Sequence, residues 1–201
     1  MSLKFFPVWI CVVSAMAYAP CVWGQEPQRV ETKDTDKDGK PDQWITWEGK
    51  KPVHFENDRD RDGKPDVWAD YSYSVGKDGK EEVRGFVSAD RNHDGKKDFW
   101  RLEYNHLIVR EWGDLNFDGK TDMWIRYTGD GRKQWVVMDK NFDGKPDLWT
   151  YYGEKGEGRF DPNMPGMVQP LAVDVDENFD GKSDRVAGSM PKERPPLEEG
   201  P

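Results

Sequence analysis

The sequence predicts an all-β protein of tandem antiparallel β-hairpins joined by acidic loops, and three observations lead there. An eleven-residue acidic phrase ending in Trp or, once, Val recurs six times. Short runs rich in aromatic and β-branched residues follow the copies. Between those runs stand residue types suited to tight hairpin turns. Such hairpins form either an extended or curved sheet or a closed barrel or propeller-like ring, and the sequence leaves both open.

The N-terminal stretch, Lys4 followed by an apolar run to Trp23, has the order of a secretory signal, so residues 1–24 are expected to be removed and the mature chain to begin near Gln25. Secretion or a periplasmic, cell-envelope location follows. Two alternatives would make the protein membrane-attached: retention of this segment as an anchor, although Pro7 and Pro20 interrupt it, or lipid attachment at Cys21, for which Tyr18-Ala19-Pro20 is a poor lead-in. The only cysteines, Cys11 and Cys21, fall in this segment, so a mature chain has neither disulfide nor thiolate metal site. Removing Lys4 and no acid takes the net charge from −9 to −10, which disfavours nucleic acid and anionic membranes. At 35% hydrophobic and 34% charged residues the composition leans toward disorder, but ten Trp, nine Phe and seven Tyr argue for a packed structure.

The repeats occupy residues 25–190, read as one β domain. The copies begin at Asp34, Asp58, Asp90, Asp114, Asp139 and Asp176, spaced 24, 32, 24, 25 and 37 residues apart, so the unit is a loop plus a hairpin with two insertions. Strands are expected at Asp66–Tyr71 and Met123–Tyr127 after loops, and at Val53–Glu56, Leu107–Arg110 and Gln134–Met138 leading into the next loop. Turns are expected at Glu48–Lys51, Asn105-His106 and Gly129–Gly131. The longer hairpin around Gly76–Lys80 resembles a decayed loop but has Ser74 and Gly76 where Asp is needed, and reads as a turn. Gly153 to Gln169 reads as a surface excursion and residues 191–201 as a disordered tail.

Each loop sets oxygen-bearing side chains at positions one, three, five and nine, with Gly at six. The sets are Asp34, Asp36, Asp38 and Asp42; Asp58, Asp60, Asp62 and Asp66; Asp90, Asn92, Asp94 and Asp98; Asp114, Asn116, Asp118 and Asp122; Asp139, Asn141, Asp143 and Asp147; Asp176, Asn178, Asp180 and Asp184. Position seven, always Lys (Lys40, Lys64, Lys96, Lys120, Lys145 and Lys182), is expected to offer its carbonyl and point its ammonium outward. Alternate oxygens wrapped around a Gly bend are hard-cation ligands, and an all-oxygen set at about 2.3–2.6 Å suits Ca²⁺, up to six ions per chain. Twenty of the 39 acidic residues lie at these positions, so the loops are expected to repel themselves open without cations. Position twelve holds Ile45, Ala69, Arg101, Ile125, Thr150 and Ala187 in place of the bidentate Glu of a helical EF-hand, which predicts weak affinity of about 10⁻⁴–10⁻³ M. The Asp34 and Asp58 loops, with four carboxylates each, are expected to bind more tightly than the four that carry Asn.

This D-x-[DN]-x-D-G-x-x-D loop leading into a strand resembles the calcium loops of integrin-type FG-GAP and bacterial VCBS repeats, and of bacterial secreted proteins built from repeated D-x-N-x-D-G-K-x-D-x-W hairpins. The resemblance covers Asp34 to about Val186 and implies calcium held between β-strands in a structural role. It departs in period: those propellers repeat over a longer unit, whereas here the unit is one hairpin.

Trp44, Trp68, Trp100, Trp124 and Trp149 each stand two residues after the ninth-position Asp, with Val186 in the last copy. A Trp fixed in every repeat is expected to be shared core, and a ring ladder that binds glycan is the alternative. His54, His93 and His106 lie in unrelated contexts and no nucleophile motif accompanies them, so no catalytic constellation is visible and an enzyme is not expected. The expected role is a calcium-stabilised structural or interaction module outside the cytoplasm, its partner a protein or glycan at the cell surface.

Overall fold

The computed structural model describes residues 28–160, 168–194 and 196–197; the expected signal segment and Cys21 lie outside them. Twelve strands form one antiparallel sheet in almost unbroken chain order. They are β1 (Gln28–Lys33), β2 (Gln43–Glu48), β3 (Lys51–Asn57), β4 (Val67–Val75), β5 (Glu81–Ala89), β6 (Phe99–Tyr104), β7 (Leu107–Gly113), β8 (Met123–Tyr127), β9 (Lys133–Met138), β10 (Leu148–Tyr151), β13 (Ala172–Val175) and β14 (Arg185–Gly188). A separate two-stranded ribbon, β11 (Arg159–Phe160) with β12 (Val168–Gln169), lies in the insertion. Among the described residues β1 and β14 are the edges of the sheet, and no strand approaches any but its sheet neighbours. The fold is therefore all-β and open, and the barrel and propeller alternatives fall away.

A meander puts alternate connections at opposite ends. All six acidic loops lie along one rim and the short turns at the other. The turns follow the residue chemistry: Asn105 and His106 adopt φ of 47° and 65° between β6 and β7, and Gly76–Lys80 closes a hairpin, as its missing aspartates predicted.

Register aligns the repeat tryptophans. Trp44, Trp68, Trp100, Trp112, Trp124 and Trp149 fall on one line straight across the sheet, separated by Glu56, Ser88 and Val137, so all share a face. With no second layer of described strands over them, the five repeat tryptophans are half-buried, between the core and the free ladder that the sequence offered. Burial is deeper toward the C-terminal strands, where Trp135, Tyr151 and Ala172 form a cluster, packed by Trp149, Leu171 and Met190. Arg194, in the stretch expected to be a disordered tail, pairs with buried Asp174 and lies 4.9 Å over the Trp149 ring. On the opposite face the buried Glu111 carboxylate accepts both Nε and Nη2 of Arg101, at 2.9 and 2.8 Å, and the Tyr127 hydroxyl at 2.6 Å.

His54 in β3 sits between two carboxylates, Nδ1 at 2.6 Å from Asp70 and Nε2 at 3.3 Å from Glu56. Burial lowers its pKa, but the bonds to Asp70 and Glu56 outweigh burial and raise it above 6.5. This contribution to stability is therefore full below a pH of about 6.5 and fades as pH rises through the folded-state value. An NMR titration is expected to place the His54 midpoint above that of an unfolded control; a midpoint at or below the control would show that burial dominates.

Candidate metal centres

Each loop is organised by its own carboxylates around two left-handed residues. Gly at position six has φ between 86° and 95° in all six loops, a region closed to most side chains. Position four is left-handed as well, at 59–67°, although its occupants Lys37, Arg61, His93, Phe117, Phe142 and Phe179 carry no signal for it in the sequence. The first-position carboxylate holds both: one oxygen accepts the Gly N–H at 2.6–2.9 Å in every loop. Its other oxygen accepts the position-four N–H of Lys37, Arg61, Phe117 and Phe142 at 2.6–2.7 Å. Left-handed backbone costs a non-glycine residue about 1–2 kcal/mol, which these charged acceptors offset.

The ninth-position carboxylate closes the loop. One of its oxygens accepts the N–H of position two at 2.6–2.8 Å and of position three at 2.9–3.3 Å. The fifth-position carboxylate accepts the Lys N–H at position seven, at 2.8–2.9 Å, while the six lysine side chains stand exposed. Loops are also tied to one another: in each loop after the first, the first-position N–H donates to the ninth-position carbonyl of the loop before, at 2.8–2.9 Å from Asp58→Asp42 to Asp176→Asp147. Asp42, Asp58, Asp66, Asp90, Asp98, Asp114, Asp122, Asp139, Asp147 and Asp176 thus form a buried line of carboxylates, with Asp34 and Asp184 exposed at its ends.

The structure gathers the expected side chains most closely in the first two loops, where ligand oxygens of Asp34, Asp36 and Asp42, and of Asp58, Asp60 and Asp62, lie within 4.8 Å of one another. Calcium bonded at about 2.3–2.6 Å spans at most about 5.2 Å between opposite oxygens, so these spacings fit its shell. Burial pushes the Asp98 and Asp122 carboxyls upward against the N–H groups that hold them down, whereas the Thr35 hydroxyl keeps Asp42 low. One buried Asp98 oxygen has no hydrogen-bond partner; the nearest cation, Arg91 Nε, is 3.8 Å away, and Asp98 lines a cleft with Asn92, Asp94 and Lys96. A buried anionic oxygen left this way is costly unless a cation joins it.

Asp122, 1% exposed, holds the N–H groups of Leu115 and Asn116. Asp122→Ala leaves both unpaired and is expected to destabilise the protein by about 2–3 kcal/mol, read by urea denaturation in calcium buffer. A loss below about half a kcal/mol would mean that water replaces the carboxylate without penalty.

Sequence reasoning missed the inward-facing Asp174, buried Trp112 and Trp135, and the approach of His93 to the neighbouring loop, because each depends on register across strands. Comparison with family models, with curated proteins and with solved structures finds no match, so the functional reading rests on the geometry of this chain.

Proposed function

We propose that this protein is a calcium-binding structural and interaction module, secreted or held in the cell envelope, in which up to six ions in the rim loops stabilise the sheet. The observation that carries the reading is the buried oxygen of Asp98 that has no hydrogen-bond partner. The oxygen spacings in the first two loops and the line of buried carboxylates support it. A cation at each loop would neutralise like charges that otherwise face one another along the rim. The likeness of the loop phrase to FG-GAP and VCBS calcium loops points the same way.

Isothermal titration of residues 25–201 tests it. Calcium is expected to bind at several sites with dissociation constants of about 10⁻⁴–10⁻³ M, and Mg²⁺ more weakly because its shell contracts to about 2.0–2.1 Å. Absence of calcium heat and of any calcium-dependent change in circular dichroism would reduce the loops to acidic turns.

A second reading is favoured by one observation: the half-buried tryptophans run in a single line on one face. Such a line can stack on a glycan, and adhesion through it predicts a Trp fluorescence change on adding oligosaccharides to the calcium-loaded protein.

A further inference from the structure

The position-four side chain of a loop reaches toward the loop before it. Between the first two loops this places Arg61 Nε 3.2 Å from the third-position Asp36, so a cationic group already occupies that place. Between the next two the residue is His93, whose Nδ1 stands 3.0 Å from Asp60 and 3.7 Å from Asp66. Later copies have Phe117, Phe142 and Phe179 at this position, which offer no ligand atom. Only one junction in the row therefore adds an imidazole to the carboxylates.

We propose that this junction is a mixed nitrogen–oxygen site, in which His93 Nδ1, Asp60 and Asp66 bind Zn²⁺ or a similar nitrogen-seeking cation. Tetrahedral zinc with bonds of about 2.0–2.2 Å sets its ligand atoms about 3.3–3.6 Å apart, and the two observed nitrogen-to-oxygen separations bracket that edge. All three donor atoms lie within 4.8 Å of one another, so a small movement of the exposed His93 and Asp60 side chains closes the shell. Two clefts are each lined by His93, Asp60 and Asp66, giving an entry path and room for a water as fourth ligand. Imidazole is a poor ligand for calcium and a good one for zinc, which makes this junction selective where its neighbours are not. His54 provides the contrast: its two carboxylates engage opposite ring nitrogens, so its donors do not converge on one point. Asp60 and Asp66 also belong to the calcium set proposed for the second loop, and the proposal rests on that reading only for the competition between the two cations.

The test is a ZnCl₂ titration of the protein by calorimetry, with and without saturating CaCl₂, on the wild type, His93→Phe and His54→Phe. Phe already stands at position four in three loops, so His93→Phe is compatible with the fold. The wild type is expected to bind one Zn²⁺ more tightly than any other site on the chain. His93→Phe is expected to weaken it by about tenfold or more, since even outer partners of a metal ligand are worth that much. His54→Phe should bind as the wild type does, and both variants should keep the calcium-dependent rise in melting temperature. Equal zinc affinity in His93→Phe, or no zinc uptake by the wild type, overturns the proposal. Zinc uptake that depends on His93 in a protein indifferent to calcium would sink the calcium reading and leave this one standing.

Discussion

Transfer from about 5 mM calcium into EDTA is expected to unfold the protein, or to lower its melting temperature by tens of degrees. With dissociation constants of about 10⁻⁴–10⁻³ M, each occupied loop contributes about 1.1–2.3 kcal/mol at that concentration. Six loops together reach about 6–14 kcal/mol, which is the whole stability of an ordinary domain. The remaining sources of stability are thin. Eight hydrophobic residues are buried among those described, and no second layer of described strands covers the sheet. Circular dichroism melts in EDTA, in Mg²⁺ and in Ca²⁺ decide the matter: a melting temperature indifferent to all three would show that the hydrogen-bonded loops stand without cations.

Trp135→Ala is expected to have the largest effect of any single core substitution, about 3–5 kcal/mol. Trp135 is 4% exposed, lies edge-on to Trp149 at 6.3 Å between centroids, and is tilted against Tyr151 at 4.7 Å. Around it close Ala172, Leu171 and Met190, all from beyond the insertion. Removing the ring therefore opens a cavity and loosens the attachment of β13 and β14. In a chain of nearest-neighbour units such a loss is felt locally, so hydrogen exchange is expected to accelerate in β9–β14 well before β1–β6. Uniform acceleration along the whole sheet would mean that it unfolds as one cooperative block.

The repeat told most of this in advance, because local chemistry sets what happens within one unit. Gly at six and the Asn105-His106 turn lie where backbone demands and residue types agree, and the structure gives both the left-handed backbone expected of them. What the sequence hid depends on neighbours across strands. Nothing near Trp112 marks it as aligned with Trp100 and Trp124, since it lies outside the repeat phrase and only the pairing of β6, β7 and β8 brings the three together. The left-handed Phe117 and Phe142 were hidden for a different reason: their conformation is imposed by the loop's hydrogen bonds and not by their own preference. Whether the sheet closes was also beyond local signals, because closure depends on accumulated twist and on what the two edge strands meet.

Because each loop is bonded only to the loops on either side, the size of this molecule is a count and not a fixed shape. Two strands and one loop add about 9–10 Å of rim, and they bring with them the donor and acceptor that the next unit needs. A whole unit could be lost or duplicated in the gene without disturbing the join, provided the edge strands and the buried Trp135 end stay in place. The protein is built like a measuring tape, with reach and the row of carboxylates growing together one hairpin at a time.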